Sequence, residues 1–214
     1  QFQMAAFYEG GLENLSQDYT QVAYWYRKAA EQGDSWGQFQ LGLCYANGHG
    51  VPLDFPQAAY WYRKVAEQGD ANAQAFLAYC YSKGNGVNQD DAQAVYWYRK
   101  AAEQGNAWGQ CNLGLCYAEG QGVSQDYEQA VYWWRKAAEQ GDANAQFNLG
   151  VSYVNGQGVP QNYEQAVYWW RKAAEQGYAN AQYSLGLCYA NGQGVAQDSK
   201  QAEYWKKTGY SEWV

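Results

Sequence analysis

Proline, histidine and positive charge are all scarce in this chain, and each shortage removes a class of protein. Only 3 of the 214 residues are proline, so a proline-rich linker or recognition arm is excluded. The 11 tryptophans and 22 tyrosines point instead to uninterrupted helices with bulky packing. A single histidine, His49, leaves no second imidazole for a zinc centre and argues against Ser-His or Cys-His chemistry. Lys plus Arg number 14 against 21 Asp plus Glu, a net charge of -7, and no five like charges follow one another. A nucleic-acid arm or a polybasic membrane patch is therefore not expected, and nucleic acid is not an expected partner. The apolar runs, such as Ala130 to Trp134, are far too short for a transmembrane segment. The first residue is Gln1, not an initiator Met, so the sequence reads as a mature form or a trimmed piece. A removed signal peptide would place the protein in a bacterial periplasm or outside the cell, and otherwise it would be cytoplasmic, so localisation stays open.

What the chain has in abundance is a repeat. Trp25, Trp61, Trp97, Trp133, Trp169 and Trp205 follow one another at a step of 36 residues, as do Leu41, Leu77, Leu113, Leu149 and Leu185. Glycines at 33, 69, 105, 141 and 177 keep the same step, and so do the pairs 48/50, 84/86, 120/122, 156/158 and 192/194. The expected organisation is one all-α, α-α superhelical solenoid over 1-214. Its units are 1-33 (degenerate), 34-69, 70-105, 106-141, 142-177 and 178-214.

Each unit carries two helices. In the stretch from Asp126 to Gly141, Asp126 is the expected N-cap, Gln129 its capping-box partner and Gly141 the left-handed stop. Ala130, Trp133, Trp134, Ala137 and Ala138 fall at i, i+3, i+4, i+7 and i+8, the stripe of a buried face. This is helix B. Residues 143-155 form the other, helix A, which ends at the Gly156-Gln157-Gly158 loop. Gly150 and its equivalents Gly42, Gly114 and Gly186 sit inside helix A, where glycine costs about 1 kcal/mol against alanine. Close helix contact is the expected reason, with the tryptophan of helix B filling the gap.

The quoted stretches AQYSLGLCYANGQGVAQD and EQAVYWWRKAAEQG resemble the Sel1-like repeat, a relative of the tetratricopeptide repeat, over residues 18 to 208. The resemblance implies a right-handed superhelix acting as a scaffold or adaptor for protein complexes. In bacteria such proteins are often exported, and some serve host interaction, envelope assembly or immunity against secreted toxins. Three features depart from the pattern. The first unit has an extra residue between Tyr8 and Tyr19 and lacks the Leu-Gly pair, so its helix A is expected to be irregular or a cap. Ala78 stands where other units have glycine, and Tyr210 to Val214 leave the pattern and are expected to cover the last helix.

Comparing units within the chain separates spine from variable positions. Positions 36, 40, 43 and 47 and their equivalents vary, and they step by i, i+4, i+7 and i+11 along one face of helix A. In a two-helix solenoid that face lines the concave side. The aromatic-rich rungs are Trp36, Gln40, Leu43 and Asn47; Asn72, Phe76, Tyr79 and Lys83; and Trp108, Asn112, Leu115 and Glu119. The later rungs, Asn144, Asn148, Val151 and Asn155, then Asn180, Ser184, Leu187 and Asn191, are rich in amides. Large aromatics on a solvent-facing stripe suit binding anchors, so the binding centre is expected near Trp36, Phe76, Tyr79 and Trp108. The bland alternative is that Trp36 and Trp108 pack against neighbouring rungs. A second column, Tyr24, Tyr60, Tyr96, Tyr132, Tyr168 and Tyr204, faces away from the helix B stripe and either stabilises the array or mediates self-association.

Reactive groups do not converge. His49 lies in a loop where other units carry Asn85, Gln121, Gln157 and Gln193. Cys44, Cys80, Cys116 and Cys188 share one repeat position, which holds Ser152 in the fifth unit, and Cys111 stands apart. Stacked equivalents lie roughly 10 Å apart, beyond the ~7 Å reach of a disulfide, so these cysteines read as small, buried and reduced. No Ser-x-x-Lys occurs, and the Gly-x-Gly loops follow helices rather than strands, so they read as turns and not nucleotide cradles. No metal or cofactor is expected. The leading expectation is a non-enzymatic scaffold gripping a partner protein or peptide on the helix A face. Alternatives are an immunity protein that neutralises a secreted toxin and a module whose Trp and Tyr rows stack on cell-wall glycans. An enzyme would have to work through polar residues such as Glu119 or Asn112.

Overall fold

Caps and glycines spaced this closely cut the chain into short helices. The computed structural model describes residues 18-210, which hold eleven helices and no strand. They are α1 (Tyr19–Glu31), α2 (Ser35–Asn47), α3 (Phe55–Glu67), α4 (Ala71–Lys83), α5 (Asp91–Glu103), α6 (Ala107–Glu119), α7 (Tyr127–Glu139), α8 (Ala143–Asn155), α9 (Tyr163–Glu175), α10 (Ala179–Asn191) and α11 (Ser199–Tyr210). Odd numbers are helices B and even numbers helices A. The expectations for the irregular first helix A and for the covering tail fall outside the described residues.

The chain divides into two compact units, one up to Gln104 and one from Gly105. Within each, every helix packs against the next in sequence.

The sequence signals account for the helix ends. The Asp126 carboxylate accepts from the Gln129 backbone N–H at 3.0 Å, and Gln140 closes α7 ahead of Gly141 at φ +97°. α8 occupies residues 143–155 and stops at Gly156, whose left-handed backbone lets its N–H donate to the Ser152 carbonyl. Two residues on, Gly158 is set by proximity: a Cβ there would land on the Tyr127 carbonyl at the start of the preceding helix B. The Gly-x-Gly loop is thus a close-packed turn.

The expected helix B stripe is the core. Ala130, Trp133, Trp134, Ala137 and Ala138 are all buried, and Leu149 of α8 is fully so. Burying such a leucine contributes about 1.5–3 kcal/mol. The glycine gap is filled differently from expectation. A Cβ on Gly114 would lie 2.6 Å from Trp134, and one on Gly150 would enter the Trp170 indole, but Gly42 faces Tyr62 and Gly186 faces Lys206. The filling position is the residue after the repeated tryptophan, and tryptophan is only one of its occupants.

One polar device runs through this core. Gln38, Gln74, Gln110 and Gln146 are each buried on helix A. Gln74 Nε2 donates to the Ala66 carbonyl at 3.1 Å, while its Oε1 accepts from Gln104 Nε2 at 2.7 Å. In the second unit Gln146 donates to the Ala138 carbonyl at 3.1 Å and accepts from Gln176 at 2.8 Å. The amide thereby ties the end of one helix B to the end of the next.

Candidate partner-binding surface

In the first unit, α2 and α4 carry the variable face. Trp36, in the first turn of α2, is 55% exposed, and Tyr79 on α4 is 37% exposed. Asn72 and Lys83 are exposed, whereas Gln40, Leu43 and Phe76 are half-buried. Phe76 is less an exposed anchor than a wall. Its ring centroid lies 5.2 Å from Tyr62 and 5.5 Å from Phe39, and Phe39 is 5.7 Å from Tyr62. Trp36 joins the edge of this cluster through Phe39, at 6.4 Å. Phe39 is absent from the variable stripe because it lies one residue before Gln40, and its signal was its i+3 spacing from Trp36.

In the second unit, Trp108 and Asn112 on α6 are half-buried, and Asn112 Nδ2 donates to the Trp108 carbonyl at 2.8 Å. Glu119 is exposed, as is Leu115. On α10, Leu187 and Tyr183 are exposed, and Ser184 between them is half-buried. Tyr178 takes the N-cap position of α10 but provides no side-chain cap, and its ring lies 5.3 Å from Phe147 instead.

The helix B tyrosines are exposed, yet they are not bare. Each meets the following tryptophan edge to face, for example Tyr96 and Trp97 at 5.0 Å. A lysine one turn on covers both rings, Lys100 Nζ lying 4.9 Å from Tyr96 and 5.4 Å from Trp97. Lys64, Lys136 and Lys172 repeat the arrangement. The neighbouring arginines turn to helix A: Arg63 donates to the Tyr81 hydroxyl and Arg171 to the Tyr189 hydroxyl, each at 2.8 Å. His49 stacks on Tyr19 at 4.7 Å.

The five cysteines are buried and carry thiols rather than disulfides. Burial pushes the thiols of Cys80 and Cys188 up to about 11, and that of Cys111 higher still, which keeps them protonated and unreactive near neutral pH. Among the described residues no group of three His, Cys, Asp or Glu could hold a metal ion, and no helix is long and apolar enough to cross a membrane.

The Sel1 repeat matches residues 1–34, 37–70, 71–106, 109–142, 143–178 and 179–205. No curated protein sequence matches the chain. Among solved structures, a protective antigen present in uropathogenic Escherichia coli strains and displaying an SLR fold is 41% identical with a TM-score of 0.91. The match covers 98% of this chain but 45% of that one, so the chain spans less than half of that relative. A Sel1 repeat protein from Oxalobacter formigenes is 34% identical over 97% of this chain and 82% of its own, with a TM-score of 0.87. An immunity protein from Pseudomonas aeruginosa shares the fold alone, at 21% identity and a TM-score of 0.63, covering 98% of this chain and 81% of that one. Sel1 repeats generally serve protein interaction and are generally non-catalytic. With all six repeats matched, the chain belongs to the Sel1 repeat family.

Proposed function

We propose that this protein is a non-enzymatic scaffold that binds a partner protein or peptide through the variable faces of its A helices. The exposure of Trp36 carries the reading: an indole that is 55% solvent-accessible is held at the edge of a packed aromatic cluster, at a position that differs between repeats. Rigid, amphipathic and partly wet, such a side chain suits a binding anchor. Asn72, Tyr79 and Lys83 continue the face on α4, and the second unit carries Trp108, Asn112 and Glu119 on its own α6. The lysine-covered tyrosines of the B helices favour a structural role for that side, since a sugar stacking there would have to displace the ammonium groups.

The test is affinity capture with Trp36→Ala and Tyr79→Ala combined. Both side chains are exposed, so helicity and melting temperature should stay near the parent values while capture falls at least tenfold. Equal capture by both proteins would remove the α2 and α4 face from the function. A Phe76→Ala variant is a poor probe, because truncating a ring in the cluster lowers stability as well.

A further inference from the structure

One aromatic pair on the B helices lacks the cation that its equivalents hold. In α3, α5, α7 and α9 a tyrosine meets the following tryptophan edge to face, and a lysine one turn on sits over both rings. Lys64 Nζ lies 5.0 Å from Tyr60 and 5.3 Å from Trp61, and Lys172 Nζ lies 5.0 Å from Tyr168 and 5.6 Å from Trp169. α11 builds the same pair: Tyr204 and Trp205 are 5.0 Å apart at 78°, against 5.0 Å and 80° for Tyr168 and Trp169. The residue one turn on is Thr208, whose hydroxyl turns back to donate to the Trp205 carbonyl at 2.9 Å. Among the described residues no other ammonium takes the vacated place. Helical side chains lean toward the N-terminus, so Lys200, four residues before Tyr204, leans away from its ring. Lys206 and Lys207 line a separate depression with Ser199, Ala202 and Glu203. Tyr204 is accordingly 57% exposed, against 48% for Tyr60 and Tyr132.

We infer that the Tyr204–Trp205 pair is a binding site for a lysine ammonium group supplied by another protein. The chain provides the template four times over, with an ammonium about one turn away on the same two rings. A carboxylate beside the pair is not required. Position 200 corresponds to Glu128 and Glu164 in α7 and α9, but to Pro56 and Ala92 in α3 and α5, and all four helices hold their lysine. An anion would meet the negative faces of the rings, and the net charge of -7 disfavours it further. The chain also sorts its own cations in this way: the arginines preceding these lysines pass to hydroxyls on the A helices, Arg63 to Tyr81 and Arg171 to Tyr189, and leave the paired rings to lysine.

The inference takes from the scaffold reading only the existence of a partner protein. The capture experiment with Trp36→Ala and Tyr79→Ala decides the helix A face without touching α11, and two measurements on the full chain decide this site. The first asks whether the rings accept an ammonium. Thr208→Lys should raise the folding equilibrium constant about two- to fivefold over the neutral, length-matched Thr208→Met, and the difference should vanish when Tyr204→Ala is added to both. No difference, or one that survives Tyr204→Ala, overturns the inference. The second follows the Trp205 indole N–H by NMR while N-acetyl-lysinamide or its Nε-acetylated form is added at constant ionic strength. The charged probe should give a shift at least threefold larger, and that shift should be lost in Thr208→Lys, where the chain's own ammonium covers the rings. Thr208→Arg provides a second covered variant should Thr208→Lys disturb α11. Equal shifts from the two probes, a shift unchanged in the covered variants, or no shift in the parent protein would each overturn the inference. A larger response to methyl glucoside or to choline than to the lysine probe would overturn it as well, by making a sugar or a quaternary ammonium the better guest.

Discussion

At the scale of single residues, small groups decide whether the helices close. Gly150→Ala places a methyl group inside the Trp170 indole, so overpacking should cost about 1–3 kcal/mol, read as a lower denaturation midpoint. Gln74→Ala removes one bond from the Ala66 carbonyl, which keeps the Gly69 N–H at 3.0 Å, and leaves the Gln104 amide with the Lys100 carbonyl at 3.4 Å, so a loss of about 0.5–1.5 kcal/mol is expected from the same measurement. The buried thiols set an alkaline limit. Cys80 and Cys188 ionise near 11 in the folded chain against 9.0 for the free thiol. Their raised values mean that this contribution to stability is whole below pH 9 and is lost as pH rises through 11, because the unfolded state releases its protons first. Thermal melts should therefore fall in that window, and Cys80→Ser with Cys188→Ser should flatten the decline.

At the scale of helices, the chain was largely legible. Asp126 and Gly141 bracket α7 where the capping signals put them, although the Asp126 N–H donates to the Tyr117 carbonyl at 2.9 Å instead of making the expected return bond with Gln129. The bracket holds because a cap is a local contact between a side chain and the backbone within three residues. Asp126→Ala should cost about 1 kcal/mol on that account, measurable by chemical denaturation. What escaped was what lies between helices. The occupant of the glycine gap was expected to be tryptophan but is Tyr62 at Gly42 and Lys206 at Gly186. A gap fixes the space, not the group that enters it. The glutamine spine also escaped, although Gln38, Gln74, Gln110 and Gln146 keep the 36-residue step. A polar residue retained on an apolar face was the available signal. Within the candidate surface, the helical stripe could be read from spacing, but the division between exposed Trp36 and half-buried Phe76 depended on Phe39 and Tyr62, which come from other positions and another helix.

At the scale of the whole molecule, the repeat supplies stability in increments, each helix resting on its neighbours within a unit. One consequence follows from the thirteen residues YEQAVYWWRKAAE, which form α7 and recur unchanged as α9. A chain returning from denaturant therefore carries two interchangeable helices, and nothing within α7 or α9 tells one address from the other. That information lies in α6, α8 and α10 and in the flanking loops, where Ser124, Asp126 and Asp142 correspond to Pro160, Asn162 and Tyr178. Refolding should accordingly populate a species slipped by one whole repeat, visible as a slow kinetic phase, and that phase should disappear when α9 alone is rewritten at its exposed positions.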